Sequence, residues 1–263
     1  MKVQSLGYRT DLMLLRLQGS VVADLGDHLV VRTPANPGFH WGNFVLADQM
    51  WVHRPLIDLV GIFGKEHPQA HHVALGVDGV DGLVWGDDEI GECGLEAERS
   101  VVMTATEVGE PLYPNTEAVC RLLDSDADWA AAVDLHATEH GMFDPAENRD
   151  FTERRMTARR EQQEAGLGGW FGAFVDGEML CGLGLFTDGS GLGRFQDVET
   201  VASERRRGLA ASLVHHASLV GLRDYAIREL VMVADPDYAA IRIYRSLGFT
   251  DSEIQIQVAR PSP

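Results

Sequence analysis

Arg205-Arg206-Arg207-Gly208-Leu209-Ala210 places three cationic donors and then small residues in front of a segment with helical periodicity. The first amides of a helix have no internal acceptor and lie at the positive end of its dipole, so they attract an anion. Gly208 and Ala210 leave room for close approach, and the guanidinium groups of Arg205, Arg206 and Arg207 can donate around the same turn. The chemistry this order suits is the grip of backbone amides on a pyrophosphate, with Leu209 inside the gripping turn.

Such a loop works only if rigid elements hold it. Residues 194–201 read as a strand entering it, and Leu213, Val214, Ala217 and Val220 fall on one face of a helix leaving it. Residues 229–234, Glu-Leu-Val-Met-Val-Ala, form an apolar run expected of a buried strand parallel to the one ending at Val201. A second phrase follows, Asp237-x-x-Ala240-x-x-x-Tyr244-x-x-Leu247-Gly248-Phe249, helical in period, with Gly248 where a helix end favours a left-handed residue.

Together the Arg205–Ala210 loop, the strand end Glu199-Thr200-Val201 and the Asp237–Phe249 phrase resemble the GNAT superfamily of N-acetyltransferases over a domain spanning 116–263. The resemblance implies an α+β fold: a mostly antiparallel sheet with one parallel pair splayed at the cofactor site. It implies acetyl-CoA as co-substrate and an amine as acceptor, with cofactor contacts from Thr200, Val201, Arg205, Arg206, Arg207, Gly208, Leu209, Ala210, Asp237 and Ala240. It also places Tyr244 opposite the thioester sulfur. Two positions depart from the family pattern: Asp237 stands where Asn is frequent and can accept but not donate a hydrogen bond, and Ala210 replaces a second glycine.

An amine with a reference pKa near ~10.4 must lose a proton before attacking a thioester, and Glu199, on the strand beside the thioester, is the candidate base. One residue of register slip would turn it to the other face. The oxyanion formed needs a preorganised donor, which the family supplies from backbone N–H on this strand. Tyr244, a phenol with reference pKa ~10, is the candidate acid for the departing thiolate.

A length of 263 residues and 45% hydrophobic content support two globular halves. The N-terminal half, 1–112, reads as a second α+β domain. Leu12–Leu17, Asp27–Val31 and Asn43–Ala47 are expected as strands, Pro55–Phe63 as a helix or buried strand, and His72–Val77, Asp78-Gly79 and the run Ser100–Thr106 complete the α+β pattern. Val77-Asp78-Gly79 echoes Val175-Asp176-Gly177, hinting at a degenerate copy of the same fold without a phosphate loop. Pro111–Pro114 is the expected linker. In the C-terminal half, strands are expected over 117–123, 170–175, 179–186 and 253–258, a hairpin at Asp176-Gly177, and helices over 127–140 and 150–164.

Forty acidic against twenty-two basic residues give a formal net charge of −18, which opposes nucleic acid and anionic membranes as partners. The absence of long apolar runs points to a cytoplasmic protein. Cys93, Cys120 and Cys181 are widely spaced, so neither a disulfide framework nor a zinc site is expected. His136 and His140 stand four apart on a helix, but without a third ligand they read as a solvated face, and no metal is expected. The alternative to an enzyme is a catalytically silent acetyl-CoA sensor. The acceptor's identity is not legible, and a homodimer remains open.

Overall fold

A computed structural model describes residues 1–138 and 145–260. In chain order the elements are α1 (Leu6–Leu17), β1 (Val21–Asp24), β2 (His28–Arg32), β3 (Phe44–Asp48), α2 (Leu56–Glu66), β4 (Val73–Asp78), α3 (Asp87–Glu92) and β5 (Glu96–Ala105). They continue with β6 (Val119–Leu122), α4 (Asp126–Thr138), α5 (Pro145–Glu164), β7 (Gly168–Val175), β8 (Glu178–Phe186), β9 (Leu192–Thr200), α6 (Leu209–Asp224), β10 (Glu229–Ala234), α7 (Ile241–Ser246) and β11 (Thr250–Arg260). These group into two compact units: residues 1–103, 233–238 and those from 251 on, and residues 104–232 and 239–250.

In the first unit β1, β2 and β3 run antiparallel, β3 pairs parallel with β4, and β4 pairs antiparallel with β11. The expected strand at Leu12–Leu17 is instead the second half of α1. Leu12-Met13-Leu14-Leu15 is a continuous run of helix formers without a β-branch, all buried, so it carries no strand alternation. Ser5 fixes the helix start by accepting the Tyr8 N–H (3.3 Å), and Tyr8, Leu12 and Leu15 then share one stripe against Phe44, Leu75 and Ile256.

The start of α1 is fastened by two buried carboxylates. Asp78 accepts the amides of Gln4 (2.9 Å) and Ser5 (3.0 Å). Glu253 of β11 accepts the Ser5 hydroxyl (2.9 Å) and the amides of Leu6 (2.9 Å) and Gly7 (3.3 Å). Removing one carboxylate would strand several buried donors at a helix N-terminus. Glu253→Ala should therefore lower unfolding free energy by about 2 kcal/mol, read as an earlier denaturant midpoint. A midpoint equal to the wild type would show that water replaces the carboxylate at no cost.

The first unit also buries histidines. His40 stacks on His72 at 4.2 Å, His72 Nε2 lies 3.0 Å from the Asn43 carbonyl, and the His67 ring sits 4.8 Å from Phe63. Burial holds the His40 and His67 pKa values below 6.5, with a smaller push from His72 on His40 and from Arg32 on His67. A depressed folded pKa means the unfolded chain binds more protons in acid, so stability is lost as pH falls through about 6.5. Melting temperature measured from pH 8 to 5 should drop, and less in a His40→Gln, His67→Gln variant.

In the second unit β6, β7, β8 and β9 run antiparallel and β9 pairs parallel with β10. Asp176 (φ 51°) and Gly177 (φ 85°) make the β7–β8 turn, both left-handed, as a two-residue hairpin of the right twist demands. His136 does not face solvent as expected. It lies on the same stripe of α4 as Trp129, Ala132 and Val133, is 4% exposed and sits edge-on to Trp170 at 5.2 Å. His140 lies outside the described residues. Among the described residues no helix is long and apolar enough to cross a membrane.

Candidate active site

The pairing of β9 with β10 covers only Leu192, Gly193 and Arg194 opposite Glu229, Leu230 and Val231, while β9 continues to Thr200. On its other edge β9 carries a bulge, because Gly182 pairs with Glu199 but Gly184 with Gln196. Asp197 in the bulge is left-handed (φ 49°) and ion-paired with Arg155 of α5. Beyond the bulge, Glu199 shares the face of Gly182, whose open side meets Leu135 of α4, while Thr200 turns its hydroxyl to Cys181 Sγ (3.1 Å). Burial pushes the Cys181 thiol up to about 12, which removes it as a nucleophile.

After Thr200 a short 3-10 turn (Ala202–Glu204) leads to Arg205, left-handed Arg206 (φ 66°) and left-handed Gly208 (φ 80°), which caps α6. Glycine is required at 208 for a reason the sequence did not reveal. A side chain there would be driven into the Tyr113 carbonyl oxygen and would lie 3.0 Å from Asn115 N, so the protein's own backbone fills the space. The first helical amide to find a carbonyl is Ser212, bonded to Gly208 O at 3.0 Å. Among the described residues the amides of Leu209, Ala210 and Ala211 meet no acceptor, which leaves three donors at one end of a 16-residue helix.

The arginines are partly committed. Arg205 donates to Glu199 Oε1 (3.0 Å) and to the Thr200 carbonyl (3.2 Å), and Arg207 pairs with Glu117 (2.8 Å) and with Glu204. Arg206 is exposed. The Val201 amide is spent on the Leu180 carbonyl (3.0 Å), and the Thr200 amide on the Glu199 carboxylate (3.1 Å). Ala240 caps α7. Asp237 is exposed, falls in the 233–238 stretch grouped with the first unit, and its amide donates to Asp235 Oδ1 (2.8 Å). The second phrase is helical only over Ile241–Ser246, shorter than its period implies. Tyr244 is 5% exposed, its ring 6.4 Å from Phe249, which in turn lies 6.0 Å from Phe195 of β9. The phrase Tyr244…Phe249 is thereby packed onto the strand that carries Glu199 and Thr200.

Sequence reasoning missed Asn115, Glu117 and Glu204, which hold the loop. Asn115 Nδ2 donates to the Arg207 carbonyl (2.9 Å) and its own amide to Ser212 Oγ (2.9 Å). The signal was an Asn directly after Pro114, a turn former. The first unit repeats the arrangement of parallel strands around a helix as β3, α2 and β4, but not the open helix end. There Leu56 N–H donates to Glu89 Oε1 (2.7 Å), and Pro55 before it has no N–H to offer. Among the described residues no group of three metal-ligating side chains is placed to hold a metal ion.

Residues 129–249 match the model of the Acetyltransferase (GNAT) family. Among solved structures the chain is similar to a GCN5-related N-acetyltransferase from Kribbella flavida, at 16% identity and TM-score 0.67, covering 99% of this chain and 97% of that one. It is similar to a conserved protein of unknown function from Staphylococcus epidermidis, at 10% identity and TM-score 0.73, covering 94% and 96%. It is also similar to a tandem GNAT protein from the clavulanic acid biosynthesis pathway, at 12% identity and TM-score 0.54, covering 97% and 96%. No curated protein matches the sequence. At these identities the structures show fold, and the tandem likeness over nearly the whole chain shows that the N-terminal half too has a GNAT-like fold.

Proposed function

Residues 129–249 form a GNAT acetyltransferase domain, and from that premise we propose that the chain moves an acetyl group from acetyl-CoA to a primary amine of a small molecule or peptide by direct attack. The observation that carries the reading is the set of open amides at Leu209, Ala210 and Ala211, located where β9 runs on beyond its pairing with β10. Backbone donors at a helix start, with Arg206 exposed beside them, fit a pyrophosphate.

In this reading Glu199 draws a proton from the acceptor ammonium, directly or through water. The nitrogen lone pair attacks the thioester carbonyl, the C–S bond breaks as the oxyanion collapses, Tyr244 gives its proton to the sulfur, and the second proton shed by the attacking nitrogen passes through water to restore Tyr244. Glu199 is tied to Arg205, so it would act from a fixed position. Glu199→Gln should flatten the acidic limb of the kcat/KM profile against pH, and an unchanged profile would remove Glu199 from the mechanism.

The overall reading is tested by calorimetric titration with acetyl-CoA, followed by thiol release across a panel of amines. Binding with amine-dependent thiol release supports it, and failure to bind acetyl-CoA overturns it. The Glu199–Arg205 ion pair favours a second reading, a silent acetyl-CoA sensor, because it occupies the candidate base. Tight binding without thiol release from any amine would select that one.

A further inference from the structure

The segment between β5 and β6, residues 106–118, belongs to the second unit and is fastened to both motif phrases. At its start the Gly109 amide donates to the Leu247 carbonyl (2.9 Å), beside left-handed Gly248. At its end Asn115 makes four hydrogen bonds. It donates to Arg207 O and Ser212 Oγ, and its Oδ1 accepts the amides of Glu117 (3.0 Å) and Ala118 (2.8 Å). The Tyr113 carbonyl lies against Gly208. Pro111 and Pro114 fix φ in between, so the strip is stiff as well as anchored.

On this strip Leu112 is 74% and Tyr113 84% exposed. A large aromatic left this open, with no ring partner among the described residues, gains nothing for the fold. Its backbone is nevertheless fixed one residue from the amides that suit a pyrophosphate. In a nucleotide the base lies one ribose from the phosphates, so a flat apolar face beside the phosphate grip is placed to meet a purine. Glu117, the strip's acid nearest the grip, is already matched by Arg207.

We propose that this strip is a wall of the cofactor site and that Tyr113 stacks on the adenine ring of the acyl-CoA. The proposal rests on the acetyl-CoA reading above. An exposed ring held on an ordered backbone pays little entropy on stacking, and aromatic stacking changes affinity by about 5- to 100-fold.

The test uses the full chain and two ligands: acetyl-CoA, and S-acetyl-4′-phosphopantetheine, which keeps the thioester and one phosphate but lacks adenosine. Titration of wild type, Tyr113→Ala and Tyr113→Trp should show tighter wild-type binding of acetyl-CoA. The alanine variant should lose about 5- to 100-fold for acetyl-CoA alone, and tryptophan should keep the affinity. Alanine binding acetyl-CoA as tightly as wild type, or losing equally for both ligands, overturns the role of Tyr113. Wild type binding neither ligand brings down the cofactor reading itself, a result distinguishable from both. Since Tyr113 is exposed, circular dichroism should be the same for all three proteins.

Discussion

Tyr244→Phe should lower kcat by about 100-fold or more while moving the dissociation constant of acetyl-CoA by less than about twofold. The ring is buried and edge-packed on Phe249, which itself packs on Phe195. Phenylalanine keeps that packing and deletes only the hydroxyl, so a loss confined to turnover reports the proton delivered to the departing thiolate, whose reference pKa is near ~8.5. The alanine variant is the wrong probe, because it would also open a cavity costing about 3 kcal/mol or more. Turnover close to wild type in Tyr244→Phe would leave the residue a packing group and return the thiolate to solvent for its proton.

The second large effect is expected at Gly208. Gly208→Val should weaken acetyl-CoA binding by about 100-fold or more, with secondary structure retained by circular dichroism. Two costs coincide. A β-branched residue at φ 80° is strained by about 1–2 kcal/mol, and its side chain meets the Tyr113 carbonyl and Asn115. The loop can relieve this only by moving, and the amides of Leu209, Ala210 and Ala211 move with it. A displacement near 1 Å is enough to lose about 100-fold where several donors must converge on one anion. Ala210→Gly, which adds freedom without a clash, should bind nearly as the wild type. Valine at 208 binding as tightly as glycine would mean the cofactor is held elsewhere.

The C-terminal strands were legible because their apolar runs, buried almost throughout in β7 and β8, are bounded by strong turn residues. Asp176-Gly177 demanded a hairpin and made one, and Gly248 is left-handed where the helix end required it. What was not legible is what depends on side chains meeting across sequence. Arg205 and Arg207 read as free cations, yet left-handed Arg206 bends the loop and three carboxylates, Glu199, Glu204 and Glu117, are within reach.

In the N-terminal half the signal was weaker for physical reasons. β1 is a four-residue strand between Gly19 and Gly26, and the apolar residues of α1 crowd into Leu12–Leu15 behind Arg9, Thr10 and Asp11, which hid its period. The GNAT-like fold of this half was anticipated from a misplaced echo. Val77-Asp78 ends a buried strand, with Asp78 beside Asp48 in the parallel pair, whereas Asp176-Gly177 is a turn. The likeness lies in β3, α2 and β4, a parallel pair with a helix between, where Glu89 accepts the Leu56 amide at the start of α2.

The pairing of β11 with β4 has a consequence for how the protein is made. The strand partner of Val73–Val77 is Ile256–Arg260, and one of the two carboxylates that fasten α1 belongs to Glu253. A ribosome that has delivered α1, β3 and β4 has not yet made the strand that covers β4's edge. Through the rest of synthesis that edge, with Leu75 and Val77 on it, waits unpaired. Nascent chains should thus be most vulnerable to proteases and most dependent on chaperones just before β11 emerges. A stop codon ahead of β11 would injure α1 and β4 as much as it removes β11 itself.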